Sequence, residues 1–119
     1  MEKKLQDAEL KVMNIIWREG NVSAAKVAAE CKETIGWNLN TTYTLIKRCI
    51  EKGALERSEP GFICRPLVSK EEAQLLETNR LINKLFDGSA DKLFAALLGH
   101  TKLSRQEVEK LKKLIDELE

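Results

Sequence analysis

The sequence predicts a mainly α-helical protein with one small β-hairpin, organised in two parts, residues 1–68 and 69–119. Three observations carry that reading. Apolar residues recur at helical spacing through the first fifty positions and again after residue 68. Between those stretches Pro60-Gly61 joins two short segments, 54–58 and 62–66, which is the signature of a turn between paired strands. Two Ser-x-x-Glu capping boxes, Ser69–Glu72 and Ser104–Glu107, mark where helices restart, because the serine caps an amide and the acid reaches back.

The elements follow in order. A first helix runs from about Asp7 to Glu19, with Leu10, Val12, Met13, Ile16 and Trp17 as its apolar stripe and Gly20 as its stop. A second follows the N-cap Ser23, with Ala24, Val27, Ala28 and Cys31 at i, i+3, i+4 and i+7. Ile35-Gly36-Trp37-Asn38 breaks the period, so the link from Cys31 to Asn40 is longer than the turn of a tight helix-turn-helix. A third helix spans about Asn40 to Lys52, with Gly53 just past its end. The hairpin comes next, and Pro66 ends its pairing. The capping boxes open helices at about 69–86 and 104–118. Between them a short apolar helix spans Ala90 to Leu98, with Ser89 available as N-cap and Gly99 as its stop.

Composition narrows the function. At 119 residues and a net charge of +1, the chain is neither a disordered tail nor an electrostatically obvious polyanion binder. Residues 1–68 hold 11 basic against 9 acidic side chains, and residues 69–119 hold 9 against 10. No apolar run reaches the roughly 18 residues of a spanning helix, and no cleavage site follows the N-terminal stretch, so a cytoplasmic protein without membrane insertion is expected. Cys31, Cys49 and Cys64 are odd in number, unpaired in spacing, and stand where small apolar residues would serve. A core role outweighs a redox or metal-sensing one. His100 is the only histidine, and no nucleophile, phosphate-loop or metalloprotease motif occurs, so neither an enzyme nor a metal or cofactor site is expected.

Three helices and a hairpin are the layout of a winged helix-turn-helix, with the third helix as reader and the hairpin as wing. At 100° per residue the third helix divides into two faces. Thr42, Leu45, Ile46, Cys49 and Ile50 fall on one, and Thr41, Tyr43, Thr44, Lys47, Arg48 and Glu51 on the other. Hydroxyls, a lysine and an arginine suit phosphate oxygens and base edges, although any surface helix has a polar face. Thr42, on the apolar face, is expected to pack its methyl and bond its hydroxyl back along the helix. A winged module that binds a partner protein without reading DNA sequence is the alternative on this evidence.

The order Ala8-Glu9-x-x-Val12-Met13-x-x-x-x-Trp17, Val22-Ser23-Ala24, Thr41-Thr42-x-Thr44-Leu45-x-x-Arg48, Lys52-Gly53 and Pro66-Leu67-Val68-Ser69-x-Glu71-Glu72 resembles the penicillinase-repressor family, the BlaI/MecI/CopY type, over nearly the whole chain. The resemblance implies a homodimeric repressor that occupies a double-stranded DNA operator, as of β-lactam resistance genes. Its candidate contacts are Ser23, Asn40, Thr41, Tyr43, Thr44, Lys47, Arg48 and Arg57. No cysteine follows Cys64, so the paired-cysteine metal hook of the copper-responsive branch is missing.

The tail has its own pattern. Val108, Leu111, Ile115 and Leu118 are spaced 3, 4, 3, the rhythm of a short coiled-coil seam. Together with Leu93, Phe94 and Leu97 of the short helix they form the expected dimerisation surface. The resemblance also implies relief of repression by cleavage in the short helix, through a membrane metalloprotease sensor or a downstream protease. The aligned bond is Ala96–Leu97, where the family's Asn-Phe pair is absent.

Overall fold

The computed structural model describes residues 4–100 and 102–118. It divides into two compact units, Met1–Leu75 and Leu76–Glu119, a division that falls inside a helix.

The first unit is a winged helix-turn-helix. Helices α1 (Asp7–Glu19), α2 (Ala24–Thr34) and α3 (Leu39–Glu51) precede strands β2 (Leu55–Ser58) and β3 (Ile63–Pro66). A two-residue strand, β1 (Val22–Ser23), completes an antiparallel sheet in the order β1-β3-β2. The hairpin was expected; its third strand was not. Val22 pairs with Cys64 and Ser23 with Ile63, while Glu56 faces Arg65 and Arg57 faces Cys64 across the other ladder. Ser23 is nevertheless the N-cap of α2, its Oγ accepting from the Lys26 amide at 3.1 Å. One residue thus ends a strand and begins a helix.

Two expectations about α2 and α3 are corrected. The second helix continues past Cys31 to Thr34, and α3 begins at Leu39, capped by Asn38, whose side chain accepts from the Thr41 amide at 2.8 Å. The link is therefore the four residues 35–38, the length of an ordinary helix-turn-helix turn. At the far end of α3, Gly53 takes a φ of +80°. Its N–H bonds to the Ile50 carbonyl at 3.0 Å, and the Ala54 N–H to that of Cys49 at 2.9 Å. This is a Schellman closure, in which glycine escapes the left-handed penalty of other residues.

The core of this unit is built from Val12, Met13 and Ile16 of α1, Val27 and Cys31 of α2, Ile46 and Cys49 of α3, and Leu55 and Cys64 of the sheet, all fully buried. Each large aliphatic among them stabilises the unit by about 1.5–3 kcal/mol. All three cysteines are buried and free. Burial pushes the Cys49 thiol up to about 12 and the Cys64 thiol to about 11, and raises Cys31 as well. Thr42 is fully buried as expected, but its hydroxyl makes no hydrogen bond, back along the helix or elsewhere. The Thr42 side chain is next to the Cys31 thiol and offsets part of the upward push that burial gives it.

A buried ion pair fixes α3 against the chain's beginning. Glu9 is 1% exposed, and its carboxylate accepts from Lys52 Nζ at 2.6 Å and from the Gln6 amide at 2.7 Å, the latter as part of a capping box that opens α1. Lys52 also donates to the Lys4 carbonyl at 2.7 Å. Burial alone would raise the Glu9 carboxyl, but the Gln6 amide, Lys52 and the nearby Arg48 charge outweigh it and hold the group below the ordinary carboxylate range.

Helix α4 (Lys70–Leu85) starts from the Ser69–Glu72 capping box and packs Ala73 into the first unit. Trp17 Nε1 donates to the Val68 carbonyl at 2.9 Å just before it. The second unit contains the rest of α4, then α5 (Ala90–His100) and α6 (Arg105–Asp116), the last opened by the Ser104–Glu107 capping box. Gly99 does not stop α5, which runs through it; a helical glycine costs about 1 kcal/mol but is not forbidden. The Ser89 hydroxyl bonds to the Asp91 carboxylate. Among the described residues no helix is long and apolar enough to cross a membrane.

Candidate nucleic-acid interface

The sequence of α3 dictates which side chains leave the core. Thr42, Leu45, Ile46 and Cys49 are buried, so a 3.6-residue repeat must carry the residues between them outward. Asn40, Thr41, Thr44, Lys47 and Arg48 are all exposed. Asn38, Asn40, Thr41, Thr44, Leu45 and Arg48 line a shallow depression of about 320 Å³ along the start of the helix. Thr41 Oγ1 donates to Asn38 Oδ1 at 3.0 Å, which orients the amide that caps the helix. Asn38 is a polar member that the sequence reading assigned to the link. An amide residue just before a helical period is an N-cap signal, and it was available.

The other candidates are placed differently. Ser23 is half-buried, with its hydroxyl already accepting the capping hydrogen bond. Tyr43 is half-buried too; its ring meets Phe62 of the hairpin edge-on, centroids 5.9 Å apart and planes at 61°. Arg57 lies over that same Phe62 ring at 3.7 Å. Tyr43 is therefore a prop between α3 and the wing, and Arg57 extends the exposed face of α3 onto the hairpin. Both hairpin arginines are ion-paired, Arg57 with Glu59 and Arg65 with Glu56. Neither Phe62 nor Glu59 was expected to matter, because nothing in local spacing brings residue 43 to residue 62.

In the second unit, Leu93, Val108 and Leu111 are half-buried, whereas Phe94, Leu97, Ile115 and Leu118 are exposed. Phe94, Leu98, Leu111, Leu114, Ile115 and Leu118 line an apolar groove of about 290 Å³. Leu114, three residues beyond Leu111, lines this groove as well and could have been found by the same spacing. Ala96 is half-buried and Leu97 exposed, both inside α5. Among the described residues no group of three or more His, Cys, Asp or Glu side chains is placed to hold a metal ion.

Comparison with known proteins agrees with this geometry. Residues 5–117 match the family model described as penicillinase repressor. The penicillinase repressor of Bacillus licheniformis is 27% identical over 116 residues, covering 96% of this chain and 91% of the relative. That of Staphylococcus aureus is 26% identical over 113 residues, covering 93% and 90%. The solution structure of the DNA-binding domain of the repressor BlaI superposes with a TM-score of 0.54 at 34% identity, covering 60% of this chain and 93% of that domain.

Proposed function

The chain belongs to the penicillinase-repressor family, whose members are DNA-binding regulators and not enzymes, and from that membership we propose a homodimeric cytoplasmic repressor that occupies a double-stranded operator with α3 in the major groove and the hairpin beside it. The observation that carries the proposal is the single exposed face formed by Asn40, Thr41, Thr44, Lys47 and Arg48 and continued by Arg57. Such a helix face carries donors for phosphate and base edges at the width of one groove.

Two copies join through the apolar groove of α5 and α6. Ile115 and Leu118 are 63% and 84% exposed in the single chain, and a two-fold pairing that buries them matches the symmetry of a palindromic operator. The relatives' names support an operator in front of β-lactam resistance genes. Cleavage in α5 near Ala96–Leu97, by a membrane metalloprotease sensor or a protease downstream of it, ends repression in this reading. In the single chain α5 buries none of its described side chains, so local opening is cheap.

A gel-shift salt series tests the DNA reading. Log affinity should fall linearly with log salt, and Arg48→Ala should weaken binding and reduce the slope by about one per bound arginine. Binding that ignores salt and Arg48 would favour a partner protein on this face instead. Mass spectrometry of the chain from induced cells tests cleavage; intact chains with repression relieved would exclude it.

A further inference from the structure

The hairpin tip holds a charge arrangement that operator binding alone does not explain. Arg57 lies on the side of β2 that reaches Phe62 and, through it, Tyr43 of α3. Glu59, at the turn, closes on this arginine. One carboxylate oxygen accepts from Arg57 Nε, and the other accepts the Phe62 backbone N–H at 3.1 Å. That amide belongs to a residue with φ +47°, a left-handed conformation that costs a non-glycine residue about 1–2 kcal/mol. The acceptor on Glu59 helps to hold it there. Arg57 and Glu59 side chains are 48% and 56% exposed, so solvent and ligands reach both.

A guanidinium and a backbone N–H that converge on one carboxylate are the donors that hold phosphate oxygens along a DNA backbone. We propose that Glu59 is an internal stand-in for a DNA phosphate, which must release Arg57 before the wing grips the backbone and so limits the affinity of the wing for duplex DNA. This rests on the DNA-binding reading of the first unit. The Phe62 amide and Arg57 hold the Glu59 carboxyl below the ordinary carboxylate range, so it stays charged at neutral pH and competes fully. The second hairpin pair supplies the control. Glu56 and Arg65 face each other across the ladder, and because successive strand residues alternate sides, they lie on the face opposite Arg57.

The test is fluorescence anisotropy of a labelled random-sequence duplex over a salt series, with the full chain and its variants. Glu59→Gln keeps an acceptor for the Phe62 amide and should tighten binding about two- to fivefold, the size of one exposed ion pair. Glu59→Ala gives an independent second removal of the charge and should act in the same direction. Arg57→Gln should weaken binding and flatten the salt dependence. The double variant should match Arg57→Gln, and Glu56→Gln should change affinity little. The proposal is overturned if neither Glu59 variant tightens binding, if Glu56→Gln tightens it equally, or if the gain survives without Arg57. A wild-type chain that shows no salt-dependent duplex binding would instead refute the DNA-binding reading on which the proposal rests.

Discussion

Thr42→Val should stabilise the first unit against thermal unfolding. The side chain is fully buried and its hydroxyl has no hydrogen-bond partner. Leaving a buried donor unmade costs about 1–3 kcal/mol. Valine has nearly the same shape, so the exchange opens no cavity and keeps the β-branched fit to the helix. A net gain of about 1–2 kcal/mol follows, which in a unit of this size is a rise in Tm of roughly 5–10 °C. Both tryptophans, Trp17 and Trp37, lie in the first unit, so their fluorescence follows its melting without signal from the tail. Thr42→Ser keeps the hydroxyl and deletes the methyl, and should lose about 1 kcal/mol. DNA affinity should not change in either variant, because the residue faces the core. A valine variant less stable than wild type, with the serine variant unaffected, would mean that the hydroxyl has a partner after all and would refute the argument.

Other outcomes follow from the same core and from the tail. Lys52→Met should cost about 3–5 kcal/mol at neutral pH, because it strands the buried Glu9 carboxylate, and adding Glu9→Gln should recover much of the loss; denaturant titration reads both. Since the folded state holds Glu9 below its ordinary value of 4.5, its contribution is complete above that pH and fades as the pH falls further; Glu9→Gln should flatten this acid limb in pH-dependent melts. With Cys49 near 12 and Cys64 near 11, a thiol reagent at pH 8 should label none of the three cysteines in the native protein and all of them in denaturant, and fast native labelling would contradict their burial. Leu111→Asp or Ile115→Asp should shift sedimentation from dimer to monomer while leaving tryptophan fluorescence native, and a wild type that already sediments as a monomer would remove the basis for the seam.

What could be read in advance was local. Ser69, Ser104 and their partner glutamates announce helices because capping chemistry acts over three residues, and the amphipathic period of α3 separates its faces without any knowledge of neighbours. What escaped was set by partners far along the chain or by segments too short to have a period. The strand β1 is two residues long, and only the approach of β3 makes it a strand. The last turn of α2 carries Lys32, Glu33 and Thr34, whose polarity hides a helix that the apolar stripe no longer marks. The Glu9–Lys52 pair spans 43 residues, and the contact of Tyr43 with Phe62 spans the whole turn from reader to wing. Gly99 shows the opposite error: a stop signal that the surrounding helix overrode.

The strand order β1-β3-β2 protects the first unit against strand-to-strand aggregation. The strand with the least polar residues, β3, lies in the middle: β2 pairs along all of it, and β1 covers the other side at Ile63 and Cys64. One outer edge is only two residues long, and the other carries Glu56 and Arg57. Short or charged edges resist the strand-to-strand addition that seeds aggregates. The sheet of the first unit is thereby closed to a ladder that could grow without end, and if copies pair as proposed, the exposed apolar side chains of α5 and α6 are left to do it.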